Sequence, residues 1–163
     1  MDQLAVSSGE VKSSKRNVPA AVRLQYIVIK MGDEQYGIDI RYVDNIVRMQ
    51  NITRVPKVQA YLKGVINLRG EVIPVVSLRL KMGLPADEYT KNTRIIILKT
   101  ETGNLGIIVD EVREVVTLGE ESIEKMAHEP KDSKASFVNG IGKNGGELIS
   151  LLDRNAITLE SNV

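Results

Sequence analysis

Between Tyr61 and Leu80 the chain reads YLKGVINLRGEVIPVVSLRL, where two short runs of branched apolar residues, GVINL and EVIPVV, flank Arg69-Gly70. Such runs on either side of a glycine-containing pair predict two strands joined by a tight turn, with Gly70 free to take positive φ. From Phe137 the pattern returns as FVNGIGKNGGELISLLDR. Laid over one another without gaps, Tyr61 falls on Phe137, Gly64 on Gly140, Gly70 on Gly146, Glu71 on Glu147 and Ile73 on Ile149. A repeated hairpin predicts a chain built twice from one plan. The fold requires only what the copies share, so function is sought where they differ. The plainest difference is Arg69 against Gly145.

The rest of the pattern fits the same plan. LQYIVIKM and YGIDI predict a strand pair around a GDEQ turn. In RYVDNIVRM, Val43, Ile46 and Val47 recur at i, i+3 and i+4, which predicts one helical turn before the strand resumes. KVQAYLK reads as a further helical turn, and SLRLKMG as a brief helix ended by Gly83. RIIILKT and LGIIVDEVREVVTL then repeat the opening, with Gly37 on Gly106, Val43 on Val112, Ile46 on Val115 and Val47 on Val116. The turn before the glycine reads as one residue longer in the second copy. DRNAITLESNV closes the chain as a short helix. Residues 1–22 are polar and without period, a flexible tail. Residues 23–160 form the ordered domain, with halves at 23–86 and 93–160 either side of the polar loop LPADEYTKNT.

Many short strands with glycine turns predict an all-β fold with short helices, in small barrels or a sandwich, and the missing long helical patterns argue against a parallel βαβ sheet. Each repeat alone is too small to bury a stable core, so the two are expected to share a hydrophobic seam. The set Val43, Ile46, Val112 and Val115 has two readings: packing in that seam, or an open groove between the halves for a partner's helix, with Arg69 on its rim.

Composition narrows the chemistry. A net charge of +1 gives no long-range attraction to nucleic acid or anionic membrane, and the absence of cysteine excludes disulfides and thiolate chemistry. No apolar run is long enough for a spanning helix and the start lacks a signal core, which predicts a cytoplasmic protein. The acidic residues Asp39, Asp44, Asp110, Glu111 and Glu114 show no convergence and read as solvated or turn-capping groups. His128, the only histidine, lies in the loop MAHEPK with no partner for metal or nucleophile chemistry. GIGKNG, from Gly140 to Gly145, matches a phosphate-loop pattern in letters only, because a strand follows it instead of a helix. No enzyme activity, cofactor or metal is predicted. A β-barrel that binds single-stranded nucleic acid remains the alternative, weakened by five dispersed tyrosines and a balanced charge.

GDEQYGIDI, the V-x-x-I from Val43 to Ile46, YLKGVINLRGEVIPVVSLR and LGIIVDEV together resemble the CheW-type chemotaxis coupling proteins, from Gln25 to about Ile157. The resemblance implies two five-stranded β-barrel subdomains, related by pseudo-symmetry, around a common hydrophobic core. It also implies a non-catalytic adaptor that couples the cytoplasmic tips of chemoreceptors to the regulatory domain of the histidine kinase CheA in two-component signalling, recruited to membrane-associated receptor arrays without membrane insertion. By matched position it places Val43, Gly64, Arg69 and Val115 in or beside the receptor groove, and Ile52, Lys63 and Val72 on the kinase-facing surface. The chain departs from the family at Asn45, where Glu is common. That substitution puts in doubt any receptor contact, or pairing with Arg69, that relies on a carboxylate there.

Overall fold

The computed structural model describes residues 22–125 and 137–157, and the fold is almost entirely β. The first repeat supplies β1 (Arg23–Met31), β2 (Glu34–Asp39), β3 (Val43–Arg48), β4 (Leu62–Leu68), β5 (Glu71–Ser77) and one helical turn, α1 (Leu78–Lys81). The second supplies β6 (Arg94–Thr100), β7 (Gly103–Val109), β8 (Glu111–Gly119), β9 (Ile123–Lys125), β10 (Val138–Asn144) and β11 (Glu147–Leu152). The helix α1 forms where expected. Ser77 caps it by accepting from the Leu80 N–H, and Gly83 at φ 79° follows it. The first turns of the two repeats are equally long, since Met31 faces Glu34 and Thr100 faces Gly103 in the same way.

The helical turn expected at Val43–Val47 is a strand. The 3-10 turn comes earlier, at Ile40–Tyr42, and β3 then pairs with β6 through a bulge between Val43 and Asn45. One extra residue in a strand breaks strict alternation, so Val43 and Ile46 face the same core although they are three apart. A bulged strand thus imitates helical spacing. The same bulge recurs in β8, between the pairs Val28–Glu114 and Ile29–Val112. KVQAYLK is likewise not helical: it contains a turn and then enters β4.

The sheets do not follow the sequence halves. One runs β9-β10-β11-β2-β1-β8 and the other β3-β6-β7-β5-β4. Each repeat therefore sends two strands into the other's sheet. The first sheet takes β1 and β2 from repeat one, and the second takes β6 and β7 from repeat two. The joints are two equivalent parallel pairs, Leu151 with Gly37 and Val75 with Gly106. Among the described residues, neither of the expected halves, 23–86 or 93–160, contains a complete sheet.

Both sheets close into five-stranded barrels. In the first, β8 continues through the turn at Glu120–Ser122 into β9, so one bent strand occupies both edges. In the second, the segment after β3 reaches across to β4, where Thr53 and Val65 exchange backbone hydrogen bonds of 2.8 and 2.9 Å. Closure removes the unpaired edges that invite aggregation.

The crossing strands are buried on both faces, which explains runs such as YIVI and RIIIL. Tyr26 and Val28 point into the first barrel with Val116, Leu118, Ile149 and Leu151. Ile95 and Ile97 point into the second with Ile66, Ile73, Val75 and Ile108. The alternate residues Ile27, Ile29, Ile96 and Leu98 meet between the barrels, with Ile107, Val76 and Leu152, in one shared core. The predicted seam exists, and strands of both repeats build it.

An ion pair ties α1 to Asp110, in the link between β7 and β8. Arg79, on α1, donates from Nε and Nη2 to Asp110 at 2.8 and 2.7 Å, and Asp110 also accepts from the Gly32 N–H at 2.8 Å. Burial alone would raise the Asp110 pKa. The hydrogen bonds from Arg79 and Gly32, with the charges of Arg79 and Lys30, outweigh it and hold the carboxylate below its usual range. A depressed carboxylate adds stability above its unfolded pKa, about 4, and that stability is lost as pH falls through the folded value. Asp110→Asn is expected to cost about 2 kcal/mol at neutral pH, the scale of charge-assisted hydrogen bonds. The gap to wild type should narrow below about pH 4. Urea midpoints at both pH values test this, and a gap independent of pH would mean the charge contributes nothing.

Candidate functional site

The turn between β4 and β5 is closed by the pair Leu68–Glu71, and its central residues lie at φ 54° for Arg69 and 82° for Gly70. Two left-handed residues in a two-residue hairpin make a type I′ turn, whose preferred occupants are Asn-Gly and Gly-Gly. The second hairpin complies, with Gly145 at φ 58° and Gly146 at φ 91°. An L side chain in this conformation costs roughly 1–2 kcal/mol. The first hairpin therefore sustains a local cost to hold an exposed guanidinium at its tip. The tip is braced: Asn67 Oδ1 accepts from the Gly70 N–H at 3.2 Å, and Asn104 Nδ2 lies 3.3 Å from both Glu71 oxygens. The equivalent brace in the second hairpin is Gln35 Nε2 to Glu147 Oε1 at 3.0 Å. In each case the amide comes from the other repeat.

The remaining residues matched to the receptor groove separate. Val43 is half-buried and, like Ile46 and Val112, packs on the shared core. Val115 is 50% exposed, although its repeat-mate Ile46 is half-buried. Of the four apolar positions that could pack or be presented, three pack and one is presented. Gly64 is buried at φ 145° beneath the segment that closes the second barrel, where its missing Cβ leaves room for the Thr53 carbonyl. Its place in the fold is that of a packing glycine. Asn45 is half-buried, and its Oδ1 accepts from the adjacent Ile46 N–H at 2.8 Å.

Ile52 and Lys63 come together. They line one groove of about 1170 Å³, walled by residues 49–52 and 54–60 and by Tyr89. Lys63 is the extra residue of a bulge in β4, between the pairs Leu62–Val76 and Gly64–Val75, and bulges re-aim side chains. Val72 does not line this groove. It stands 63% exposed on β5 opposite Asn67, and its repeat-mate Leu148 is equally exposed. Arg54, Val55, Lys57, Val58 and Tyr89 also line the groove, and no motif or repeat match marks them. Their signal was composition: NITRVPKVQA mixes cations and apolar residues with no acid.

The acidic residues play other parts. Asp39 accepts from the Arg41 N–H at 2.9 Å and pairs with its guanidinium at 2.7 Å. Burial would raise the Asp39 pKa, but Arg41 outweighs it and holds the carboxylate low. Asp44 and Glu114 are exposed, and Glu111 is half-buried. Among the described residues no three His, Cys, Asp or Glu side chains are grouped to hold a metal. His128 lies outside the described residues. GIGKNG occupies β10 and its turn and leads into β11, with no helix start facing it. Tyr26, Tyr36 and Tyr61 are core residues. The guanidinium groups of Arg154 and Arg41 lie 4.1 and 5.7 Å from the Tyr42 ring centroid. Tyr89 is the exposed one.

The family model described as "CheW-like domain" matches residues 25–161. A Bacillus subtilis protein named "Chemotaxis protein CheW" is 38% identical over 131 residues, spanning 80% of this chain and 84% of that one. The Helicobacter pylori protein of the same name is 36% identical over 129 residues, 79% of this chain and 78% of that one. Among solved structures, the scaffolding protein TtCheW from Thermoanaerobacter tengcongensis is similar with a TM-score of 0.75 at 33% identity, covering 81% of this chain and 90% of that chain.

Proposed function

This chain belongs to the CheW-like family, and from that membership we propose that it is a non-catalytic chemotaxis adaptor that couples chemoreceptor tips to the regulatory domain of the histidine kinase CheA. On this reading it works in the cytoplasm at receptor arrays. No described helix is long and apolar enough to cross a membrane, so array attachment would come through protein contacts. The observation that carries the reading is Arg69. An exposed cation is kept in left-handed backbone where the second repeat has glycine, and no described carboxylate pairs with it. A local cost without a local return points to a partner. The receptor face would comprise Arg69, Val115 and the half-buried Val43, with Gly64 beneath it. The kinase face would comprise Ile52, Lys63 and Val72. A body built twice from one plan supplies two such faces that are not equivalent.

Two substitutions at one position separate fold from function. Arg69→Glu is expected to lower receptor-tip affinity at least tenfold, about 1.4 kcal/mol, with no loss of thermal stability. Arg69→Asn should also weaken binding while raising stability by about 1 kcal/mol, because Asn-Gly suits the turn. Titration calorimetry with a receptor-tip helix, beside thermal melts, reads both. Unchanged affinity would mean a merely solvated arginine, and an unfolded variant a structural one. On the other face, Ile52→Asp is expected to weaken kinase binding and spare receptor affinity. Because Ile52 also packs against the second barrel's interior, Lys63→Glu is the cleaner form of this test. Both affinities falling together would reject two separate faces.

A further inference from the structure

Each repeat ends in a helical turn, and both turns start from the same anchor. After β5 the Ser77 N–H donates to the Tyr61 carbonyl at 2.7 Å, and after β11 the Asp153 N–H donates to the Phe137 carbonyl at 2.9 Å. Ser77 Oγ then accepts from the Leu80 N–H, and Asp153 Oδ1 from the Asn155 N–H. Leu78 of the first turn and Ile157 of the second are buried in the shared core. Each turn presents an arginine to the link by which the other repeat enters its bulged strand. Arg79 holds Asp110, the residue before β8. Arg154 places its guanidinium 4.1 Å from the ring centroid of Tyr42, the residue before β3, and donates from Nη1 to the Lys99 carbonyl at 3.3 Å. Lys99 follows Leu98, which pairs with Val43. Arg154 therefore engages both strands one residue beyond the Val43–Leu98 pair.

The two grips differ in kind. Arg79 reaches both oxygens of a carboxylate, the stronger arrangement. Arg154 has a ring face and one carbonyl, the weaker one. The other cation near the ring, Arg41 at 5.7 Å, is engaged by Asp39. The strand behind the weaker grip is also the shorter. β3 is an edge strand of six residues against nine in β8, and it pairs with β6 alone. Its first residues therefore depend on what fixes the link before them.

We propose that Arg154 is a positioning residue for the receptor face: its grip on Tyr42 and on the Lys99 carbonyl fixes the entry of β3 and so sets where Val43 stands. This rests on the adaptor reading above and adds what holds one side of that face in place. Arg154 acts through β3 and is not itself a contact. The second repeat secures the first at this point, as Arg79 of the first secures the second at Asp110.

The test uses the full chain with a receptor-tip helix and, separately, the isolated CheA regulatory domain. Arg154→Gln is expected to weaken receptor-tip binding roughly threefold to tenfold, the range over which residues that touch no ligand alter affinity. Hydrogen exchange at the amides of Val43 to Ile46 should quicken in the free protein, while exchange along β8 and affinity for the kinase domain hold. Arg154→Lys keeps a cation for the ring and Tyr42→Phe keeps the ring, so both should stay close to wild type. Tyr42→Leu should reproduce the loss, and adding Arg154→Gln to it should cost little more. Unchanged receptor-tip affinity in Arg154→Gln, beside a wild type that binds, would overturn the positioning role and leave the adaptor reading standing. Equal losses toward receptor tip and kinase domain would overturn it in favour of general packing. A loss with exchange at β3 unchanged would overturn it in favour of direct contact. A wild type that does not bind the receptor tip would overturn the adaptor reading itself.

Discussion

Gly64→Ala is expected to lower stability by at least about 3 kcal/mol, among the largest effects of any single methyl group in this protein. A Cβ at Gly64 would stand 2.1 Å from the Thr53 carbonyl oxygen and 2.8 Å from Ile52 Cγ2, and φ is already 145°. Backbone atoms cannot yield as a flexible side-chain end can. Either the residue absorbs the strain, or residues 49–60 swing off β4 and break the two Thr53–Val65 hydrogen bonds. The second course costs about 2 kcal/mol for the bonds alone, with the backbone penalty added. The repeat-mate provides the control. At Gly140 the nearest atom would be the Glu124 carbonyl at 3.2 Å, with no positive φ, so Gly140→Ala should cost clearly less. Denaturant unfolding of both variants decides it, and equal losses would remove the special role of the Thr53 contact. The comparison bears on function too. Gly64 is one of the positions proposed for the receptor face, and lost binding in a Gly64 variant would report a displaced arm before it reported a lost contact.

The second large effect concerns the shared core. Leu98→Ala is expected to cost about 3 kcal/mol, the usual scale for a fully buried leucine, and to lower both barrels in one unfolding transition. Leu98 lies on β6, a repeat-two strand in the second barrel, and its side chain faces the core that both barrels contribute to. Each barrel also contains strands from the two repeats, so neither can melt and leave the other complete. Hydrogen exchange at amides of β10 and β4, followed through the transition, would separate the cases. Two distinct midpoints would show independent barrels and defeat the shared-core account.

Much of this architecture was legible in local pattern. Both hairpins, their glycines, the helix α1 with its stop at Gly83, and the need for a seam follow from period-2 runs and turn chemistry. The candidate site was legible in part. Arg69 stood out because its repeat-mate is glycine, a difference visible in the letters. Lys57, at φ 59°, carries the same left-handed strain with no matched position to flag it, and Tyr89 reaches the groove across the fold from a loop far along the chain. Val43, Ile46 and Val47 imitate a helical turn because a bulge shifts the alternation by one residue, which is the spacing a helix would show.

The amino-acid order alone determined that this protein is made of two like repeats with one unlike turn, since side-chain alternation and glycine placement act over a few residues. Only the tertiary structure decided which strands pair. Gly37 and Gly106 offer equivalent surfaces, as do the strands around Val75 and Leu151, so each repeat could pair with itself or with its twin on identical local terms. The exchange is seen where the crossing strands bury both faces at once, one in a barrel and one between barrels, and that packing is a property of the assembled chain.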